Sequence, residues 1–310
     1  MSTSKPLVVQ TEHLDEGAAA WLGERCELVR CSSGDKRFLE LLERAEGLVI
    51  RTYTLVNRAF LEGAPRLKVI GRAGVGLDNV DVAACQERGI KVFNTPDANT
   101  TAVVEYVVGL MLDATRPRLF LQSAVEMERW KELRQELKAR RQLRQLTLGI
   151  WGLGRIGKRL ARVAGALDMR VIYHDVLEIA PEERWGAEPV GREELCERAD
   201  VLSVHVDGRA SNRGLVGTDA LGRCKSDVIF INTSRGFVVD NHALADFMLG
   251  HPAACAMLDV HDPEPFDGTY PLLEIDNVHL APHIASATVL ANENMSWVVK
   301  DVWRVLSGEA

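Results

Sequence analysis

Long apolar runs are missing from this chain: no window of its 310 residues approaches 18 uninterrupted apolar positions, which argues against a membrane-spanning helix. An excess of positive charge is missing as well. The 37 Lys plus Arg are outnumbered by 44 Asp plus Glu, a formal charge of −7, and this argues against a general nucleic-acid binder, whose affinity rests on basic surface neutralising phosphates. The six cysteines form no Cys-x-x-Cys pair and have no histidine at zinc spacing, so neither a metal site nor a disulfide framework is expected. The N-terminus, MSTSKPLVVQ, carries no apolar signal core. Together these absences describe a cytoplasmic protein with free thiols that acts on a small molecule, without metal, membrane or nucleic-acid partner.

What is present is ordinary globular composition, 46% hydrophobic and 26% charged, in a chain long enough to need two cores. Short apolar runs recur at 7–9, 47–51, 67–71, 90–94, 146–152, 170–175, 200–206, 227–233, 254–260 and 278–283. Most are continuous and do not alternate, as in parallel strands buried on both faces, so an α/β fold is expected. Between them the pattern predicts a helix from Thr100 to about Ala114, apolar nearly all round and therefore buried. A second runs from about Leu119 to Arg144, and a last one from about Thr288 to Leu306. In the second, Lys138, Arg140, Arg141 and Arg144 crowd together, as a solvated helix face or a contact for a phosphate or a partner. Asn99 to Thr100 and Pro282 are the expected crossing points between domains.

The run LTLGIWG leads into Gly152-Leu153-Gly154-Arg155-Ile156-Gly157, then a helical pattern, then the run RVIYHD. In that context Gly152 permits a tight turn, Gly154 lets backbone N–H groups reach a pyrophosphate, and Gly157 lets helix and strand approach. Asp175 ends the second strand, 175 − 157 = 18 residues past the last glycine, where a carboxylate accepts from the adenosine ribose and repels a 2′-phosphate. The expected cofactor is NAD.

Three groups lie at or beyond the ends of later strands, where open α/β sheets place ligands. Arg235 in NTSRG has a planar fork suited to a carboxylate and an adjacent carbonyl. Glu264 in LDVHDPEP and His283 in APHIASAT are a carboxylate and an imidazole suited to proton exchange near neutral pH. Taken singly, each also reads as structure: a turn cap, a loop acid between prolines, a satisfied strand-end histidine.

With these motifs the sequence resembles the D-isomer-specific 2-hydroxyacid dehydrogenases over essentially its whole length. The likeness rests on GRAGVGLDNVD at 71–81, NTPDANTTAVVE at 94–105, GLGRIG at 152–157, INTSRGFVVD at 231–240, LDVHDPEP at 258–265 and APHIASAT at 281–288. IRTYT at 50–54 and GRAGVG at 71–76 are most like the phosphoglycerate dehydrogenase branch. The resemblance implies two doubly wound parallel-sheet domains, a Rossmann-type NAD-binding domain at 100–285 inserted into a flavodoxin-like substrate-binding domain at 1–99 and 286–310. It implies a homodimer through the cofactor domain. It also implies a catalytic set of Arg235, Glu264 and His283, with His283 as acid or base, Glu264 orienting it and Arg235 binding carboxylate and carbonyl. Cofactor contacts would come from Gly152, Gly154, Arg155, Ile156, Gly157, Asp175, Val206, Thr233, Ser234 and Asp259. Arg51, Thr54 and Arg72 fall at substrate or structural positions of that branch, and the N–H groups of Ala73, Gly74, Val75 and Gly76 would cradle the substrate carboxylate.

The implied reaction interconverts a D-2-hydroxy acid and its 2-keto acid, with 3-phosphoglycerate as first substrate and hydroxypyruvate or glyoxylate reduction as the alternative. A formate dehydrogenase would pair its histidine with Gln, where Glu264 stands here. An NAD-sensing corepressor on the same scaffold keeps all three groups, but no extended tail is seen. Three departures stand out. Val206-Asp207 follows His205 where the family usually places a proline, Leu55 stands where close phosphoglycerate dehydrogenases carry a lysine, and the stretch from Trp130 to Gln145 is longer and richer in Arg. Regulatory domains after residue 310, and serine feedback through them, are not expected.

Overall fold

The computed structural model describes residues 5–116 and 118–309; residues 1–4, Pro117 and Ala310, which the expected domains include, lie outside the described residues. The chain divides into two compact units, Met1–Asn99 with Ser286–Ala310, and Thr100–Ala285.

The first unit is built on β1 (Leu7–Gln10), β2 (Glu27–Arg30), β3 (Gly47–Ile50), β4 (Val69–Arg72) and β5 (Lys91–Phe93). All pair in parallel in the order β2-β1-β3-β4-β5, the flavodoxin-like winding. Every residue of β1 and β3 is buried, which is why those strands read as unbroken apolar runs. Leu42, Leu48, Ile50, Leu61 and Ile70 fill the core on one face, and each such side chain taken fully out of water contributes roughly 1.5–3 kcal/mol.

The second unit carries β6 (Thr147–Trp151), β7 (Arg170–His174), β8 (Glu188–Pro189), β9 (Val201–Val204), β10 (Ile229–Asn232), β11 (Cys255–Leu258) and β12 (Val278–Leu280). They are parallel and ordered β12-β11-β10-β9-β6-β7-β8, the Rossmann order with one strand added. Successive side chains serve opposite faces: Phe230 of β10 joins one core, while Ile229 and Ile231 join the other.

Several expectations are corrected. Strands β2 and β8 were not anticipated, and both are sheet edges. An edge strand is half solvated, so ELVR and EP lack the apolar run that marks their neighbours. The helix expected from Leu119 to Arg144 is confined to Met127–Glu136 and buries no residue, so Lys138, Arg140, Arg141 and Arg144 follow it instead of lining its face. The last helix is two, Val289–Ser296 and Val299–Leu306. The helix Thr100–Thr115 is not buried all round: Val103, Val104, Val107 and Met111 are shut in, while Leu112 is 38% exposed. All six cysteines are free thiols, and no helix among the described residues is long and apolar enough to cross a membrane.

Candidate active site

In the second unit the sheet order reverses between β6 and β9, and the glycine turn sits at that reversal. Gly152 has φ +99, a conformation L side chains rarely adopt, and a Cβ there would lie 2.8 Å from the His205 carbonyl carbon. A Cβ on Gly157 would lie 2.3 Å from the Gly152 oxygen. The two glycines thus let strand, turn and helix close on one another. The helix Arg155–Ala166 begins at Gly154, whose position has no side chain to cap it, so its first N–H groups point outward with the positive end of the helix dipole. Arg155 is exposed on that first turn and Ile156 half-buried.

Asp175, just past β7, braces this turn. Its Oδ2 accepts from the Leu153 N–H at 2.6 Å and its Oδ1 from the Leu177 N–H at 2.8 Å. A carboxylate has about four lone-pair sites, so acceptor capacity remains for ribose hydroxyls. Nearby strand ends present two shielded polar atoms with no protein partner, Thr233 Oγ1 and His205 Nδ1. His205 Nε2 pairs with Ser203 Oγ at 2.8 Å, and burial pushes its pKa down to about 4, which keeps the ring neutral. Orphaned polar atoms at strand ends, an open helix start and a turn built of close glycines fit a dinucleotide. The loop after Val206, where the proline is missing, is organised by Asp207: its carboxylate takes Arg209 Nε at 2.7 Å and Nη2 at 2.5 Å. Those bonds, with the charge of Arg235 in addition, hold Asp207 below the usual carboxylate range.

The proton-transfer candidates meet beyond β11 and β12, at the strands' C-terminal ends like the glycine turn but toward one edge of the sheet. His283 Nδ1 lies 2.8 Å from Glu264 Oε2, and the His261 backbone N–H donates to Glu264 Oε1 at 2.7 Å. Burial alone would push the Glu264 pKa up. The His283 hydrogen bond, the His261 N–H and both imidazoles outweigh it, leaving the group below its usual range. An ionised Glu264 only accepts, so Nδ1 of His283 carries the hydrogen and Nε2 is the ring atom left for exchange. His283 itself has φ +56, and strained backbone of this kind gathers at functional sites. Asp259 fixes the following residues, accepting from the Ile284 and Ala285 N–H groups at 2.8 Å each; burial raises its pKa despite those bonds.

Arg235 stands on the turn after β10. Asn232, buried at the strand end, shapes this turn by accepting from Ser234 N at 3.0 Å and Ser234 Oγ at 2.8 Å and donating to the Arg235 carbonyl at 3.0 Å. Arg235 Nη1 donates to the Ser234 carbonyl at 2.7 Å.

The expected substrate residues lie in the first unit. Arg51 donates through Nη1 to Asn292 Oδ1 and, at 3.4 Å, to the His13 carbonyl; burial lowers its pKa. Thr54 is buried, its hydroxyl 2.7 Å from that of Thr11. Arg72 ends β4. In the glycine loop beyond it, the Ala73 N–H already donates to the Ile50 carbonyl at 2.8 Å and the Gly74 N–H to the Arg72 carbonyl at 2.9 Å. The four-membered cradle expected there is thereby narrowed, with Val75 and Gly76 following.

Arg141 stands far from this chemistry. It joins Asp200 at 3.0 Å and Asp227 at 2.9 Å, just before β9 and β10, at the N-terminal ends of these interior strands and so on the side of the sheet opposite the glycine turn. It locks strand starts and is not a phosphate contact of this site. Sequence reasoning also missed Glu12, Asn232 and His261, whose hydrogen bonds shape the loops that carry Arg51, Arg235 and Glu264. Asn232 and His261 lay inside motifs that had been noticed, INTSRGFVVD and LDVHDPEP, whereas Glu12 lay in none.

The sequence signature of the D-isomer specific 2-hydroxyacid dehydrogenase NAD binding domain matches residues 108–285. The chain is 37% identical over 308 residues to a D-3-phosphoglycerate dehydrogenase of Methanocaldococcus jannaschii, covering 97% of this chain and 58% of that one. It is 32% identical over 320 residues to a glyoxylate reductase of Thermofilum pendens, covering 99% and 93%. Among solved structures, D-lactate dehydrogenase from Aquifex aeolicus complexed with NAD and lactic acid superposes with a TM-score of 0.84 at 26% identity, over 98% of this chain and 96% of that one. The chain spans a little over half the length of the phosphoglycerate dehydrogenases it matches, 56% and 58% in two cases.

Proposed function

Because the chain belongs to the D-isomer-specific 2-hydroxyacid dehydrogenase family and residues 108–285 are its NAD-binding domain, we propose that it is a cytoplasmic NAD-dependent oxidoreductase interconverting a D-2-hydroxy acid and its 2-keto acid. The observation that carries this reading is the Glu264–His283 pair at 2.8 Å, with Glu264 held in its ionised form. The glycine turn and the start of the helix Arg155–Ala166 would hold NADH, which when bound would supply the hydride. His283 Nε2 delivers a proton to the carbonyl oxygen in reduction and removes it from the hydroxyl in oxidation, while Glu264 stabilises the imidazolium form. Arg235 holds the substrate carboxylate and polarises the carbonyl. Asp175 selects NAD by repelling a 2′-phosphate. The chain acts as a homodimer through its cofactor domain, a reading supported by apolar side chains such as Phe120, 80% exposed, and Trp130, 47% exposed.

The first substrate is 3-phosphoglycerate with 3-phosphohydroxypyruvate as its partner. One observation favours a second, hydroxypyruvate or glyoxylate: Leu55, 60% exposed, supplies no cation for a phosphate. Purified protein with NADH and a panel of 2-keto acids separates the two. A preference of at least about tenfold for phosphohydroxypyruvate is expected, the worth of one charge-assisted contact. Equal efficiency with hydroxypyruvate removes the phosphate site, and no NADH consumption with any of the three sinks the enzyme reading.

A further inference from the structure

We infer that His261 is a positioning residue for the acid–base pair, tying the loop that carries Glu264 to the loop that carries His283. The inference rests on the dehydrogenase reading and deepens it. His261 is 6% exposed, and it reaches both loops with different atoms. Its backbone N–H donates to Glu264 Oε1 at 2.7 Å, the oxygen that His283 does not use. Its ring Nε2 lies 2.7 Å from the carbonyl oxygen of Ala281, two residues before His283. A carbonyl only accepts, so Nε2 carries the hydrogen and donates. In the neutral ring Nδ1 is then an acceptor, and it faces the Tyr270 hydroxyl at 3.3 Å.

The ring is held edge-on by Phe266 at 4.8 Å and Tyr270 at 5.6 Å. Behind it the backbone lies so close to the turn after Arg235 that a Cβ on Gly236 would fall 1.9 Å from the His261 carbonyl carbon. One residue therefore abuts the Arg235 turn, the Glu264 carboxylate and the loop of His283.

The need for such a tie follows from the backbone of His283. At φ +56 it holds a conformation that L residues rarely adopt and that persists only where its surroundings impose it. Downstream the restraint is Asp259, which takes the Ile284 and Ala285 N–H groups. Upstream it is the Ala281 carbonyl, which accepts from the His283 N–H at 3.0 Å and from His261. The Ala281 N–H is itself tied to the Leu258 carbonyl at 2.8 Å, so the His261 ring supplies the second outside bond on this side, and the one that links it to the Glu264 loop.

The test compares His261→Phe, which keeps the ring contacts and removes the donor, with His261→Gln, whose amide restores an N–H near the Nε2 position. The Phe variant is expected to lower kcat for 2-keto acid reduction about five- to tenfold, the worth of one hydrogen bond left unmade. It should leave KM for NADH unchanged, displace the pH profile of kcat/KM, and raise deuterium uptake across 279–285 by a similar factor; Gln should restore all of these. Wild-type kcat, pH profile and exchange in the Phe variant would overturn the inference, as would a Gln variant impaired as badly as Phe. Should Phe fail to fold, His261→Asn against Gln makes the same comparison, because the shorter amide does not reach Ala281. Exchange reads the tie without turnover, so a wild-type protein inactive on every 2-keto acid would remove the functional reading and still leave the tie to be judged.

Discussion

Each unit gathers backbone N–H groups where its strand order reverses, and the two treat them in opposite ways. At the reversal between β1 and β3, the Glu12 carboxylate takes the N–H groups of Arg51 at 3.0 Å, Thr52 at 2.9 Å, Tyr53 at 3.2 Å and Thr54 at 3.3 Å. At the reversal between β6 and β9, the start of the helix Arg155–Ala166 has no side chain over it, and Asp175 takes a single N–H of the turn, that of Leu153. Parallel sheets of this winding make an anion cradle at the switch point whether or not a ligand is wanted. One acidic side chain, supplied or withheld, decides whether the cradle becomes a piece of structure or is left for a phosphate.

The contrast is open to tests of decreasing size. Glu12→Gln keeps the shape but turns one acceptor into a donor facing N–H groups. The first unit should lose about 3 kcal/mol in urea unfolding while NADH affinity of the folded protein is kept, and an unchanged midpoint would mean that the filled cradle is incidental. Gly157→Ala drives a Cβ against the Gly152 oxygen, so NADH binding followed by fluorescence should weaken about 100-fold with little change in the first unit. A near-normal Kd would show that the turn tolerates the displacement.

His205 gives a pH signature on the open side. Its folded pKa of about 4 lies below the ordinary 6.5, so the unfolded chain binds a proton that the folded one refuses. Its contribution is present above pH 6.5 and is lost as pH falls toward 4. About 2 kcal/mol should disappear between pH 7 and pH 5, and His205→Gln should flatten that slope; a slope identical to wild type would assign it to other groups. Smallest is Asp175→Asn, which keeps an acceptor for Leu153 but removes the charge. The NAD to NADP preference should relax by about tenfold, the equivalent of about 1.4 kcal/mol, and an unchanged ratio would mean that this carboxylate misses the ribose.

Much of this was legible in one dimension. The buried strands announced themselves because a parallel strand covered on both faces is apolar nearly throughout, as in GLVI and IFIN. The glycine motif was legible because a turn whose Cβ positions collide with His205 and Gly152 admits almost no other residue. The edge strands β2 and β8 escaped for the converse reason, since solvated positions accept any polar residue. The Arg run misled because charge density says nothing about location: Arg141 bridges Asp200 and Asp227 at the N-terminal ends of β9 and β10.

What depends on local chemistry was therefore determined by the sequence alone: the buried strands, the glycine turn, and the types of group available for proton exchange. Partnership was decided only in three dimensions. Glu264 and His283 are 19 positions apart and His261 and Ala281 are 20 apart, while Glu12 reaches Thr54 across 42. No periodicity records such distances, because a hydrogen bond depends on where chain segments meet after folding. The same carboxylate type thus became a plug over four N–H groups at Glu12 and the hydrogen-bond partner of His283 at Glu264, according to which N–H groups and rings the fold brought beside it.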